Sequence, residues 1–267
     1  MISIIVCSTD DIFFSNFSSS VKETIGVPYE LIKIENSKER LSIAKAYNLG
    51  AIKSNYNILV FVHEDVVFHT KDWGKKLIEY FGCLENPGII GIAGNSYHPS
   101  IPSDWWVPSA SHRHFNFISN KKEGKPGDGV LMSSQDNQPT KIFCLDGVFM
   151  AIGSDVFSTT MFDESLEGFH GYDTSISLRV SKVNSNYFVP DILIEHFSSG
   201  NYTYEFWKST VLANFSYFNS FKRTDPFNFK IEYYSLKKFV INSFRYKLNI
   251  MLFFDSIRMF FYQLVKV

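Results

Sequence analysis

Short apolar runs alternate with stretches of helical spacing through the first 95 residues of the chain. Ile2 to Cys7 is a continuous apolar run, as expected of a strand covered on both faces of a sheet. Phe13 to Ile25 has helical spacing, and Tyr29 to Ile34 predicts a second strand. Lys38 to Lys53 repeats apolar and small residues at helical intervals. Asn57 to Val62 predicts a third strand, which runs abruptly into His63, Glu64 and Asp65. Trp73 to Phe81 reads as a helix and Ile89 to Ala93 as a fourth strand. This alternation predicts right-handed crossovers and an α/β fold, a Rossmann-like, mostly parallel sheet flanked by helices. Ligands of such sheets gather beyond the carboxyl ends of the strands, so the charged end of strand three is the first place to look.

From Asn95 to Thr140 the periodicity disappears, and Pro, Gly, Ser, His and Trp dominate. A loop of that length in a compact domain is usually functional or disordered; Trp105, Trp106 and the run His112-Arg113-His114 favour function. Regular structure is expected again over Lys141 to Ile152, followed by a helix from about Ser154 and a strand over Tyr187 to Glu195. From Tyr202 onward the pattern is mainly helical. A catalytic domain over residues 1–205 and a helical C-terminal extension over 206–267 follow from this division.

Composition narrows the class. With 45% hydrophobic and 20% charged residues in 267, the chain is able to bury a sizeable core. A formal charge of −1 gives no basic field for nucleic acid, so no nucleic-acid partner is expected. Cys7, Cys83 and Cys144 are odd in number and far apart, which points to buried free thiols in a reducing compartment. The chain opens on an apolar strand without the features of a signal peptide, and no uninterrupted apolar stretch is long enough for a bilayer. A cytoplasmic location is the expectation.

Three clusters could carry chemistry. His63, Glu64 and Asp65 place two carboxylates and an imidazole at a strand end. A solvated turn is the ordinary reading of such a tripeptide; the alternative is a divalent cation, Mn2+ or Mg2+, that relieves the carboxylate repulsion. In the second cluster, Phe162-Asp163-Glu164-Ser165-Leu166-Glu167-Gly168-Phe169-His170-Gly171-Tyr172-Asp173 leads into a helix through Leu178-Arg179. Asp173 there is either a helix cap or a general base that takes a proton from an acceptor hydroxyl. Glycines on both sides of His170 would allow close approach of a sugar. The third cluster is Ile194-Glu195-His196-Phe197-Ser198-Ser199-Gly200 at another strand end, where a lone histidine is more often structural than a ligand.

Taken in order, these clusters resemble the GT-A glycosyltransferases, in particular the large inverting family of chitin, hyaluronan and chondroitin synthases and bacterial polysaccharide transferases. The resemblance covers roughly residues 1 to 200. Ala46-Tyr47-Asn48-Leu49-Gly50 is similar to the family's A-R-N-x-G helix, and the strand end at His63-Glu64-Asp65 stands where its D-x-D motif stands. The resemblance implies that Asp65 and His196 hold the metal and that Asp146 and Gly147 contact the donor sugar. It also implies that Asp173 is the catalytic base of the G-E-D element. His63 replaces the first aspartate of D-x-D, and Tyr172 replaces the glutamate of that element. On the same ground residues 1–95 are the nucleotide-binding half and residues 96–205 the acceptor half.

The function so implied is metal-dependent, inverting transfer from a nucleotide-sugar donor, with UDP as the nucleotide, to a saccharide or lipid-linked acceptor in surface polysaccharide synthesis. The transferred unit would be a hexose or an N-acetylhexosamine. Ser8, Glu35, Asn48, His63, Glu64, Asp65, Asp146 and Gly147 are the expected donor-side residues, with Glu35 assigned to the base or ribose. Trp105, Trp106, His170 and Tyr172 are the expected acceptor-side residues, although buried core tryptophans are as common as sugar-stacking ones. A nucleotidyltransferase would carry a glycine-rich, basic loop after strand one, whereas Ser8-Thr9-Asp10-Asp11 is acidic and lacks glycine. A non-catalytic sugar-binding protein on the same fold is the other alternative. Finally, residues 237–267 interleave Lys237, Lys238, Arg245, Lys247, Arg258 and Lys266 with phenylalanines and leucines against one acid, Asp255. Such a tail suits peripheral contact with the inner face of a membrane, packing on the domain, or a homodimer.

Overall fold

A computed structural model describes residues 1–198, 200, 202–218 and 226–266. Ser199 and Val267, which belong to the third cluster and to the tail, lie outside the described residues. The chain forms β1 (Ile2–Ser8), α1 (Asp11–Thr24), β2 (Tyr29–Glu35), α2 (Ile43–Ile52), β3 (Ile58–Val62), β4 (Val66–Phe68), α3 (Trp73–Cys83), β5 (Pro87–Gly91) and β6 (Ala93–Asn95). It continues through β7 (Arg113–Ser119), β8 (Val130–Ser133), β9 (Thr140–Ile142), β10 (Cys144–Leu145), β11 (Phe149–Gly153), α4 (Ser154–Thr160), α5 (Tyr172–Val180), β12 (Ser185–Phe188) and β13 (Ile194–His196). Three helices follow: α6 (Tyr204–Phe218), α7 (Phe229–Arg245) and α8 (Ile250–Lys266).

The main sheet has the order β2-β1-β3-β11-β5-β12-β9. β2, β1, β3, β5 and β12 run in one direction and β11 and β9 against it, so the sheet is mostly parallel. β1 is buried at all seven positions because helices cover both faces, which is why it reads as an unbroken apolar run. One apolar layer gathers Phe17, Val21, Trp73 and Leu77 beneath the sheet, and the other gathers Tyr47, Phe61, Phe157 and Phe162 above it.

Several boundaries differ from the sequence reading, each for a local reason. The helix expected from Lys38 begins at Ile43, where the Ser42 hydroxyl accepts from the Lys45 amide and caps it. The strand expected over Tyr187 to Glu195 is two strands: β12 pairs with β5 in the main sheet, and β13 pairs with β4 and β7 in a second one. Pro190 lies in the break; it has no amide to offer a ladder. The aperiodic stretch after Asn95 contains the hairpin β7–β8, whose alternation is confined to the four residues His114 to Phe117. β11, from the second half of the chain, sits between β3 and β5, so the two sequence halves interleave at the centre of the sheet. Cys7 and Cys144 are buried free thiols as expected, whereas Cys83 is exposed.

The helical extension is bonded to the segment before β7. Glu232, buried in α7, accepts from the Tyr97 hydroxyl at 2.7 Å and from the Ser100 amide at 2.9 Å. Lys238 pairs with Asp104 at 2.8 Å. No helix among the described residues is long and apolar enough to cross a membrane.

Asn48 shows how α2 is fixed. Its buried amide accepts from the Phe162 amide (3.0 Å) and donates to the Phe162 carbonyl (3.0 Å) and to Glu164 (2.9 Å). Replacing it by alanine strands two buried backbone groups, so Asn48→Ala should lower the unfolding free energy by about 1–3 kcal/mol, measured by urea denaturation. Unchanged stability would show that water replaces the amide.

Candidate active site

β3 ends at Val62, and the next three side chains take different tasks. Glu64 turns back to the β1–α1 connection, where its carboxylate accepts from the Thr9 amide (2.9 Å), the Thr9 hydroxyl (2.8 Å) and the Asp10 amide (3.2 Å). His63 and Asp65 face the end of β13, which is held in place by the β4–β13 ladder and by a Phe197 amide bond to the Asp65 carbonyl (2.9 Å). His196 Nε2 lies 3.4 Å from Asp65 Oδ1, and His63 Nδ1 lies 3.9 Å from the same oxygen. Ligand atoms of the three side chains all lie within 4.8 Å of one another. Asp65 and His196 are thus brought together as expected, and His63 joins them.

Tyr172 sets the orientation of His63. Its hydroxyl donates to the Gly147 carbonyl (3.2 Å) and is 2.8 Å from His63 Nε2. In the tautomer in which the hydroxyl hydrogen goes to that carbonyl, His63 donates from Nε2 and its Nδ1 lone pair faces Asp65. In that tautomer two acceptors face each other at 3.9 Å, an arrangement complementary to a cation between them. Gly147 makes the contact feasible, since a Cβ there would lie 2.1 Å from the Tyr172 hydroxyl.

Charge in the cluster follows from burial and pairing. Burial pushes the Asp65 carboxyl up, but the His196 hydrogen bond and the charges of His196 and His63 outweigh it and hold it well below the usual range. Burial lowers the His63 pKa. For His196 burial acts downward too, but bonding to Asp65 prevails and raises it.

Asp173 enters from the first turn of α5. Its carboxylate accepts from the Thr174 amide (2.7 Å) and the Gly147 amide (3.1 Å). Burial, reinforced by the like charge of Asp146, pushes its pKa up to about 7. Asp146 itself accepts from the Val148 amide at 2.8 Å.

Two adjoining cavities share this floor. One, of about 480 Å3, is lined by Thr9, Glu64, Asp65 and Lys122. The other, of about 640 Å3, is lined by Trp105, Trp106, Asp146, His170, Tyr172 and Asp173. His63, Phe169 and Ser198 line both, so the histidine–aspartate cluster stands at the junction. Trp105 and Trp106 meet edge to face at 5.0 Å, and the Arg113 guanidinium stacks on Trp106 at 4.3 Å.

Three expected donor-side residues are not brought to the cavities. Glu35 is at the exposed end of β2, its pKa held down to about 2 by Ser37 and by Lys33 at 3.0 Å. Asn48 is committed to Phe162 and Glu164. Ser8 is buried beside the lining residues Cys7 and Thr9, its hydroxyl unpartnered among the described residues. Phe169, Ser198 and Lys122 were missed. Lys122 belongs to a basic, Gly/Pro-rich run in the β7–β8 connection, a signal lost within the aperiodic stretch. That connection is anchored by buried Glu195, which accepts from Asn120 (2.7 Å) and the Gly127 amide (2.8 Å).

The fold is that of the GT-A glycosyltransferases. A glycosyltransferase-like family matches residues 3–198, and the chain belongs to that family. GalNAc-T7, solved with UDP, GalNAc and Mn2+, is similar over 75% of this chain and 44% of its own, at 13% identity and a TM-score of 0.52. The mannosyltransferase PcManGT from Pyrobaculum calidifontis, in complex with GDP-Man and Mn2+, is similar over 91% of this chain and 68% of its own, at 10% identity and 0.53. S. aureus TarS 1-349 in complex with UDP-GlcNAc is similar over 96% and 79%, at 11% identity and 0.50. This chain therefore spans less than half of GalNAc-T7, and at these identities what is shared is the fold. No curated protein matches the sequence.

The Asp173 environment has a measurable consequence. The unfolded chain releases this proton near the ordinary value of 3.8, the folded chain only near 7. The group therefore contributes stability below the first value and loses that contribution as pH rises through the second. Asp173→Asn, which stays neutral, should flatten the decline of Tm between pH 4 and 7 and melt above the parent at pH 8. A variant that parallels the parent at every pH would show that Asp173 ionises normally.

Proposed function

We propose that the protein is a metal-dependent, inverting glycosyltransferase that moves a sugar from a UDP-sugar to a hydroxyl of a saccharide or lipid-linked acceptor. The observation that carries this reading is the placement of Asp173, Tyr172, His63 and His196 in one cavity, with Asp65 on the adjoining cavity that shares His63. The bound UDP, UDP-GlcNAc and GDP-Man of the similar structures, and Mn2+ in two of them, support it at the level of the fold.

The donor set fits a divalent ion. Ligand atoms around an octahedral ion with bonds of about 2.1 Å stand roughly 3.0–4.2 Å apart, and the observed 3.4 and 3.9 Å lie in that range. Two imidazoles beside one carboxylate favour Mn2+ over the oxygen-seeking Mg2+. When bound, the ion supplies Lewis-acid neutralisation of the departing diphosphate. Lys122 brings a further positive charge to the donor side. Trp105 and Trp106 hold the acceptor sugar by its faces. Asp173 takes the proton of the acceptor hydroxyl as its oxygen bonds to the anomeric carbon, while the bond from that carbon to the phosphate oxygen breaks and its electron pair leaves with UDP. A single displacement inverts the anomeric centre.

The nucleotidyltransferase alternative is disfavoured, because the β1–α1 turn amides that would cradle a phosphate are occupied by Glu64.

UDP release across a panel of nucleotide sugars tests the reading. EDTA should abolish transfer, and Mn2+ should restore it at least as well as Mg2+; full turnover in chelator would refute the metal assignment. Asp173→Asn should lower kcat by roughly 10²–10⁴-fold with donor affinity nearly intact, and a product of retained anomeric configuration would exclude the displacement. Tyr172→Phe removes the hydroxyl that orients His63 and should weaken Mn2+ binding by about 10–100-fold in a calorimetric titration. Unaltered affinity would mean that His63 is oriented by its packing alone.

A further inference from the structure

Independently of the catalytic reading, the hairpin of α7 and α8 leaves an apolar face without a partner among the described residues. Its inner side buries Phe239 and Phe260 with Trp207 and Val211 of α6. On the outer side Met251, Phe254, Arg258, Phe261 and Val265 are exposed and follow one another at intervals of three and four residues, which sets them on one stripe of α8. Phe244 is 74% exposed, Met251 71% and Phe254 61%. The rings of Phe244 and Phe254 both adjoin Phe253, at 5.8 and 5.6 Å, so the patch continues across the turn between the helices.

The charges around it are of one sign. Between Phe229 and Val265 the exposed cations are Lys230, Lys237, Arg245, Lys247 and Arg258, and the exposed acid is Asp255. None of these five makes an ion pair among the described residues, whereas Lys238 is taken by Asp104. In a chain of net charge −1 this is a local concentration of positive charge.

We propose that this face docks on an anionic lipid bilayer. Phenylalanine and methionine enter the headgroup boundary, lysine and arginine meet the lipid phosphates, and the helices lie in the interface. No described helix is long and apolar enough to cross it. A second copy is a poorer partner: a two-fold contact sets a patch against itself, and here it would oppose like charges. Lys238 also donates to the Trp106 carbonyl at 2.8 Å, which ties α7 to the wall of the acceptor-side cavity and fixes that cavity's distance from the bilayer.

Cosedimentation of the full chain with phosphatidylglycerol-containing vesicles, with phosphatidylcholine vesicles alone and at high ionic strength tests the proposal. Binding should need the anionic lipid and fall with salt. The double variants Met251→Ser/Phe254→Ser and Arg245→Glu/Lys247→Glu should each reduce the sedimented fraction by roughly tenfold. Circular dichroism of these exposed-site variants should match the parent. Parent protein that stays in the supernatant with anionic vesicles would overturn the proposal, as would variants that sediment like it. A vesicle-independent dimer, seen by light scattering and lost in Met251→Ser/Phe254→Ser, would assign the face to a second copy instead.

Discussion

Everything at the active site depends on one long-range junction, the antiparallel contact of β4 with β13. Its ladder pairs His196 with Val66, and the Phe197 amide closes it on the Asp65 carbonyl. Two polar side chains far apart in sequence are thereby set at ligand distance by backbone hydrogen bonds, not by their own attraction. A rigid strand end costs no further ordering when a ligand arrives, which is the condition for a preorganised charged site. The second sheet brings His196 to a cluster whose other members come from the end of β3 and from α5.

Around that junction the chain arranges its polar groups in layers. His63, Asp65 and His196 face one another; Tyr172 orients His63; Gly147 makes room for Tyr172 and gives its amide to Asp173. The loop Asp146–Gly147 is therefore shared between the cluster and the candidate base. Burial, reinforced by the like charge of Asp146 across that loop, holds the Asp173 pKa near neutrality.

Much of this was legible in the sequence. The apolar runs of β1 and β3 are strong signals because both faces are covered, and the polar residues that interrupt β3 mark its end. Asp65, His196 and Asp173 are picked out by the order and spacing of their three clusters and not by any one residue, since an acid at a helix start or a lone histidine at a strand end is ordinarily structural. The role of Tyr172 was not legible, since nothing local says that a tyrosine in α5 will meet a histidine after β3. Asn48 misled for the opposite reason: its place in a familiar helix suggests a donor contact, yet its amide is consumed by Phe162. Lys122 and the β7–β8 hairpin were hidden because the alternation in β7 spans only His114 to Phe117, too short a run to stand out in a stretch of Pro, Gly and Ser.

The Glu64 bridge carries a thermodynamic corollary. It joins the turn at Thr9 and Asp10 to the strand end that bears Asp65, so a ligand beside that turn and the proposed ion at Asp65 would act on the same connection. Linkage then requires reciprocity: whatever factor the ion adds to the affinity for a ligand at the turn, that ligand adds to the affinity for the ion. Order of addition would change the path of assembly and leave its free energy the same.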